Sequence, residues 1–138
     1  MRERRWGRIV TIGAPCAKQP MRGQLIFAYA LANTARVAAV SLCKTVSAKL
    51  APFGIAVNTI ATGAIDTAMA REFFAKRAQD ACLTTEQFMH AMMSQVPVGR
   101  IGTPQEMSGL CAYLCSDRAG YTTGETILCD GGLSNSTL

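Results

Sequence analysis

The sequence predicts an α/β fold in which helices cover both faces of a parallel sheet, with three strands in this chain. Short β-branched runs alternate with longer segments of helical periodicity, the order typical of such a sheet. The segments between the strands are far longer than hairpin loops, and this favours parallel pairing. About half of the 138 residues are apolar and 17% are charged, as in a globular domain with large buried faces.

The strands are expected at 8–13 (RIVTIG), at about 55–61, and within 125–132 (ETILCDGG). After the first strand, apolar residues recur at 31, 35, 38, 42, 46 and 50, which predicts a helix from about Tyr29 to Leu50. Two further helical pieces are indicated at 70–81 and 84–95. Thr103-Pro104-Gln105-Glu106 is a capping box that begins a helix to about Cys115. With only three strands, we expect one sheet edge to remain exposed.

Charge and hydropathy exclude some classes of function. The net charge is +5, but the basic residues near the N-terminus lack the interleaved aromatic residues or helix-turn-helix pattern of a nucleic-acid reader. No run of 18 apolar residues occurs, so no membrane span is expected. The start of the chain lacks the apolar stretch of a secretory signal. We therefore expect a cytoplasmic protein that binds neither nucleic acid nor membrane.

Six cysteines, at 16, 43, 82, 111, 115 and 129, never form a CxxC pair. Cys111 and Cys115 are four residues apart, a spacing that places two thiols on one face of a helix. The single histidine, His90, lies far from them in the sequence, so no metal site is expected. The cysteines are interpreted as small buried hydrophobic residues in a reducing compartment.

Three segments resemble the C-terminal half of the short-chain dehydrogenase/reductase family: GRIV (7–10), LAPFGIAVNTIATGAIDTAM (50–69) and VGRIGTPQEMSGLCAYLCSDRAGYTTGETILCDGG (98–132). The resemblance covers essentially all of the chain and implies one partial Rossmann-like domain over 1–138, with a three-layer αβα architecture. It also implies NAD(P)-linked carbonyl or alcohol chemistry similar to that of 3-oxoacyl-acyl-carrier-protein reductases. The family's glycine-rich phosphate loop has no counterpart here, so this chain alone is not expected to hold the dinucleotide. We expect the chain to be incomplete, with Met1 an internal methionine or the result of a truncation.

The catalytic residues of the family are altered in this sequence. Counting back from Gly54 puts the family's tyrosine position at Ala32 and its lysine position at Arg36, and counting forward from the first strand puts the serine position near Ala14. Arg36 keeps a permanent positive charge. Asn33 and Arg36 match an Asn-x-x-Arg pattern that resembles a divergent subgroup. They are therefore the candidate catalytic residues.

Tyr29 and His90 are two alternative proton donors. Tyr29 would require a shift of the helix by three residues, and we expect it to be a packed or substrate-facing aromatic. His90 has suitable chemistry, but a lone histidine on such a helix is expected to be exposed or packed.

The resemblance also implies coenzyme-binding residues, namely Arg36, Gly63, Ile65 and Thr67, although Thr62 replaces the usual proline before Gly63. Six large apolar residues crowd the following helices and are expected to pack in a core or subunit interface, with an apolar substrate pocket as the alternative: Phe73, Phe74, Phe88, Met89, Met92 and Met93.

Two interpretations of function remain. The first is a divergent NAD(P)-linked oxidoreductase represented by its C-terminal half and inactive alone. The second is a non-catalytic paralogue or fragment that serves as an oligomerisation module. For either, the resemblance implies association with a second copy or with complete relatives, through the helix at 29–51 and the closing helix and strand.

Overall fold

The computed structural model describes residues 1–19 and 27–136, with side chains of the first long helix described from residue 30. Three parallel strands form one sheet in the order β1-β2-β3. They are β1 (Gly7–Gly13), β2 (Ile55–Thr62) and β3 (Thr126–Cys129). The predicted strands and their parallel pairing are confirmed. β3 lies within the expected 125–132 and ends before Gly131 and Gly132, whose φ of 65° and 84° turn the chain away.

The four predicted helices are present, each within about three residues of its expected bounds. They are α1 (Phe27–Leu50), α2 (Ala68–Asp80), α3 (Thr85–Met93) and α4 (Pro104–Leu114). α4 begins where expected because Thr103 accepts a hydrogen bond from the Glu106 amide, and the Glu106 side chain accepts one from the Thr103 amide. α1 ends before a short 3₁₀ turn closed by Gly54, whose φ is +70°.

Helices lie on both faces of the sheet, as predicted. On one face, Thr11 of β1 lies 3.4 Å from the Cys43 sulfur of α1. On the other face, Ile60 of β2 and Leu114 of α4 form a fully buried cluster with Ala119. Successive residues of a strand point to opposite faces, which places Thr11 and Ile60 on different sides.

β2 is the central strand and its residues 55–61 are all buried. Two of them, Asn58 and Thr59, are polar. The Asn58 side chain donates to the Thr122 carbonyl at 2.8 Å and accepts from the Glu125 amide at 3.1 Å. Both bonds go to the segment just before β3. Asn58 therefore ties β3 to the centre of the sheet.

The predicted apolar stripe of α1 is exposed at 31, 35, 38 and 42, whereas Val46 and Leu50 are half-buried. Leu31 and Leu42 are 57% and 63% exposed, and Ala35 and Ala38 of the same stripe are also exposed. Along β1, a strand at the edge of the sheet, Ile9 and Ile12 are 37% and 50% exposed. An apolar helix face and a sheet edge are thus open to solvent in this chain, and the edge was expected from the strand count.

The expectation that the cysteines are buried is wrong for five of the six. Cys16 is buried, whereas Cys82 and Cys115 are exposed and the other three are half-buried. Cys82 follows the end of α2 with φ of 54°, and Cys115 is the C-terminal cap of α4, so both thiols lie at helix ends that meet solvent. All six thiols are free.

Within 1–19 and 27–136, no three His, Cys, Asp or Glu side chains are grouped to hold a metal ion. None of the helices described there combines the length and apolarity needed to cross a membrane.

Candidate functional site

The carboxyl ends of the three strands meet at one edge of the sheet, where ligands bind in open α/β sheets. The strands end at Gly13, Thr62 and Cys129. The Thr62 hydroxyl donates to the Gly13 carbonyl at 3.2 Å, and the Gly63 amide donates to the Cys129 carbonyl at 2.9 Å. These two bonds fix the three strand ends relative to one another.

Ala14, expected near the family's serine position, is the first residue after β1. It is half-buried in extended backbone conformation and precedes a 3₁₀ turn at Pro15–Ala17. That turn contacts α1, so Ala14 lies where the end of β1 approaches the helix. Its methyl group can neither bind nor donate a proton.

Arg36 and Asn33 lie in the first half of α1 and are joined by a hydrogen bond. The Arg36 Nη1 donates to the Asn33 Oδ1 at 3.2 Å. Arg36 lies seven residues before Cys43, hence on nearly the same face of α1, and Cys43 faces β1. α1 ends at Leu50, just before the start of β2, so its first half lies towards the carboxyl edge. Arg36 is exposed and, among the described side chains, takes part in no ion pair.

Ala32, expected at the family's tyrosine position, is exposed on α1 one turn before Arg36. The backbone of Tyr29 belongs to α1, but its side chain lies outside the described residues, so its role stays a prediction. His90 is exposed on α3, and α3 packs against α2. Ala14 and Ala32, which the resemblance implies near the serine position and at the tyrosine position, offer no acid or base there.

The loop after β2 carries the other predicted coenzyme-binding residues. A Cβ on Gly63 would lie 2.8 Å from the Cα of Asp130, so only glycine lets β2 and the end of β3 approach this closely. Ile65 pairs with Gly102 in a single parallel bridge. Thr67 caps α2, since its Oγ1 accepts from the Ala70 amide at 3.2 Å. The Thr67 hydroxyl keeps its proton for donation to a ligand.

An ion pair that the sequence analysis did not identify fixes this loop. Arg71 donates two hydrogen bonds to the carboxylate of Asp66, at 2.6 and 2.8 Å. The Arg71 guanidinium lowers the pKa of Asp66 through these bonds. Because the two residues are five apart across a helix start, the sequence gives no regular spacing that would have revealed the pair.

A cavity of about 280 Å³ lies beside the loop, between the end of β3 and the segment before α4. Arg100 and Glu106 line it and bond through two contacts of 2.9 and 2.6 Å. The pKa of Glu106 falls to about 2, first because of Arg100 and then because of the Thr103 amide and hydroxyl. The capping box revealed the Thr103–Glu106 contact, but only the fold brings Arg100 to the same carboxylate.

Asp130 and Cys129 also line the cavity and were missed. The two Asp130 oxygens accept from the amides of Gly132 and Ser134, each at 3.0 Å. Burial, and then Glu106 and Asp130, raise the pKa of the Cys129 thiol. The Asp-Gly-Gly sequence after the last strand is a turn signal that could have indicated the Asp130 bonds.

The helices after the loop pack through aromatic contacts. Phe74 is 8% exposed, and its ring centroid lies 5.8 Å from that of Phe73 and 6.4 Å from that of Phe88. Core packing is thereby confirmed for Phe74. Phe73 is 41% exposed, whereas Phe88, Met89, Met92 and Met93 are half-buried, so the alternative of an apolar ligand surface stays open for them.

Comparisons with known proteins identify similar chains. A family model described as enoyl-(acyl carrier protein) reductase matches residues 1–134. Nodulation protein G of Azospirillum brasilense is 34% identical over 134 residues, covering 97% of this chain and 48% of that protein. The 3-oxoacyl-[acyl-carrier-protein] reductase FabG of Escherichia coli is 35% identical, covering 96% and 48%. A crystal structure of an actinorhodin polyketide ketoreductase variant with NADPH superposes with a TM-score of 0.84 at 29% identity, covering 96% and 49%.

The chain thus spans about half the length of the curated relatives that it matches. The sequence match and the structural match are both to reductases.

Proposed function

The chain belongs to the short-chain dehydrogenase/reductase family, and from this premise we propose that it supplies the C-terminal half of an NAD(P)-linked oxidoreductase. The proposed reaction interconverts a carbonyl and an alcohol. 3-Oxoacyl thioesters are the first substrates to test, because the similar FabG proteins are named as 3-oxoacyl-[acyl-carrier-protein] reductases. By itself this half is proposed to be inactive.

The observation that carries the proposal is which residues lie at the carboxyl edge of the sheet. Arg36 offers a fixed cation beside Asn33 at the carboxyl edge, while Ala14 and Ala32 hold the two positions at which the resemblance implies serine and tyrosine. General acid–base catalysis contributes about 10²–10⁴ in rate. We propose that a chain with two alanines there keeps residues that contact the coenzyme but has no proton donor of its own at those two positions.

Part of the coenzyme fits the described residues. Arg36 has no carboxylate partner among them and could donate to a ribose hydroxyl, while Thr67 has a hydroxyl proton to offer the nicotinamide end. The nicotinamide, when bound, supplies or accepts the hydride. The pyrophosphate needs backbone amides of a glycine-rich turn, and the sequence contains no such turn after a strand.

The first experiment titrates NADPH against this chain and follows coenzyme fluorescence. We expect no submicromolar binding by the chain alone, and stronger binding in an equimolar mixture with the N-terminal half of the Azospirillum brasilense relative. Arg36→Gln should weaken binding in that mixture, with the exposed Lys76→Gln as control. Submicromolar binding by the chain alone would contradict the proposal.

A second experiment restores the proton donors. In the same mixture, the variant Ala14→Ser/Ala32→Tyr/Arg36→Lys should raise NADPH-dependent reduction of a 3-oxoacyl thioester by about 10²–10⁴ over the unchanged chain. Equal rates for the two proteins would show that the reaction obtains its proton elsewhere. In that case Tyr29→Phe is the next variant.

A non-catalytic oligomerisation module is the second candidate, favoured by the exposed stripe of α1. Leu31 and Leu42 of that stripe are more than half exposed, and the alanines between them would let another helix approach closely. The proposed partner is a second copy of this chain or a complete relative. Light scattering of the purified chain measures whether copies associate.

A further inference from the structure

One cysteine of α4 and the cysteine that caps its C-terminus form a thiol pair at the surface. Cys111 and Cys115 are one helical turn apart, and the Cys115 amide donates to the Cys111 carbonyl at 2.9 Å. Cys115 is exposed, whereas Cys111 is half-buried and packs beside the cluster of Ile60 and Leu114. One thiol of the pair is therefore held by the core and the other meets solvent.

The two thiols are close enough to affect each other's ionisation. Burial raises the pKa of the Cys111 thiol, and the neighbouring Cys115 raises it further. Because an unperturbed thiol has a pKa of about 8.5, Cys111 is protonated at neutral pH. Any ligand that bonds to both sulfurs must release or consume the two thiol protons.

The helix favours a bridged pair over a direct disulfide. A disulfide requires Cβ atoms about 3.5–4.5 Å apart, whereas residues four apart on a helix have Cβ atoms about 5–6 Å apart. A single atom that bonds to both sulfurs can bridge the larger Cβ separation found on a helix. In the described residues no third His, Cys, Asp or Glu completes a metal-binding group, so the site suits a centre that takes two sulfur ligands.

We propose that Cys111 and Cys115 form a dithiol site for monosubstituted trivalent arsenicals, R–As=O. In the reaction, two S–H bonds and the As=O bond break, two S–As bonds form, and the oxygen leaves as water with both thiol protons. Arsenic stays trivalent and both sulfurs keep their oxidation state. The site lies at the C-terminal end of α4 and involves none of the residues of the proposed oxidoreductase reaction.

Phenylarsine oxide is the probe, and intact mass spectrometry is the readout. We expect one phenylarsenic group per chain, with loss of two hydrogens from the protein, reversal by excess 2,3-dimercaptopropanol, and protection of two cysteines from alkylation. Peptide mapping should identify Cys111 and Cys115 as the protected cysteines. A dithiol gains about 10²–10⁴ in affinity over a single thiol, so Cys111→Ser and Cys115→Ser should each lose binding by that factor.

Three control variants test whether arsenical capture requires the pair of Cys111 and Cys115 or only an exposed thiol. Cys82→Ser removes an exposed thiol with no other cysteine nearby in the sequence and should leave capture unchanged. Cys115→Ser/Ser108→Cys, with thiols three residues apart on one helix face, should restore it. Cys115→Ser/Gly109→Cys places the second thiol on the opposite face, where a Cβ meets nothing within 4 Å, and should not. Capture that survives Cys115→Ser, or protection of Cys43 or Cys82, would overturn the proposal.

Discussion

At the residue scale, Gly63 controls how closely the ends of β2 and β3 approach. A Cβ there would lie 2.8 Å from Asp130 Cα and 2.9 Å from its Cβ, and the first of these is backbone that cannot rotate away. Gly63→Ala should therefore destabilise the fold by about 1–3 kcal/mol. Gly109, in the middle of α4, has nothing within 4 Å of an added Cβ, so Gly109→Ala should stabilise it by about 0.5–1 kcal/mol. Urea unfolding measures both, and equal effects would contradict the close approach.

Cys82 carries a second prediction at this scale. Its φ is 54°, and its amide and that of Leu83 donate to Gln79 and Ala78 at 3.0 and 2.9 Å, the bonds of a Schellman motif. The left-handed conformation costs a residue with a Cβ about 1–2 kcal/mol, partly offset by the greater freedom of glycine in the unfolded chain. Cys82→Gly should thus raise the melting temperature.

The control for Cys82→Gly is a glycine substitution at a position with ordinary helical backbone conformation. Lys76→Gly lies inside α2 and should lower stability by about 1 kcal/mol. If Cys82→Gly lowered the melting temperature as Lys76→Gly does, the left-handed turn at the end of α2 would be wrong.

At the scale of elements, α3 and α4 both begin with a capping box. The third residue of the helix is Gln87 in α3 but the titratable Glu106 in α4. Thr84 caps α3 with Gln87 as its partner, and Thr103 caps α4 with Glu106. The pKa of Glu106 is about 2 in the folded chain, below about 4.3 when unfolded. Its stabilisation is therefore fully present above the unfolded pKa and is lost as pH falls towards 2.

The matched variants are Glu106→Ala and Gln87→Ala. The cost of Glu106→Ala, measured as the shift of the urea midpoint, should shrink as pH falls from 6 to 2.5. The cost of Gln87→Ala should stay constant, because glutamine does not titrate. A pH-independent cost for Glu106→Ala would mean that Arg100 does not hold its carboxylate in solution.

At the scale of the whole molecule, we expect the exposed stripe of α1 to set the state of association. Leu42 is 63% exposed on that stripe and Val98 is 57% exposed in a loop. If copies associate through α1, Leu42→Lys should convert the protein to monomers in light scattering, whereas Val98→Lys should not. A monomeric unchanged chain would exclude self-association through this helix and leave a complete relative as the proposed partner.

Much of the fold could be predicted from the sequence because the signals are local. The capping box at Thr103 needs only residues three apart, and the β-branched run before Gly13 needs only its own composition. The exposure of Cys82 and Cys115 could not be predicted in this way. It depends on which ends of α2 and α4 meet solvent.

The sequence by itself determined the parallel α/β fold and the family resemblance, and it predicts alanines where the resemblance implies two catalytic side chains, because each depends on periodicity or residue identity. Only the tertiary structure decided that Arg71 bonds Asp66, that Arg100 shares the Glu106 carboxylate, and that the apolar stripe of α1 is exposed at 31, 35, 38 and 42. Those features depend on which surfaces meet after the helices cross the sheet, and no local spacing encodes that meeting.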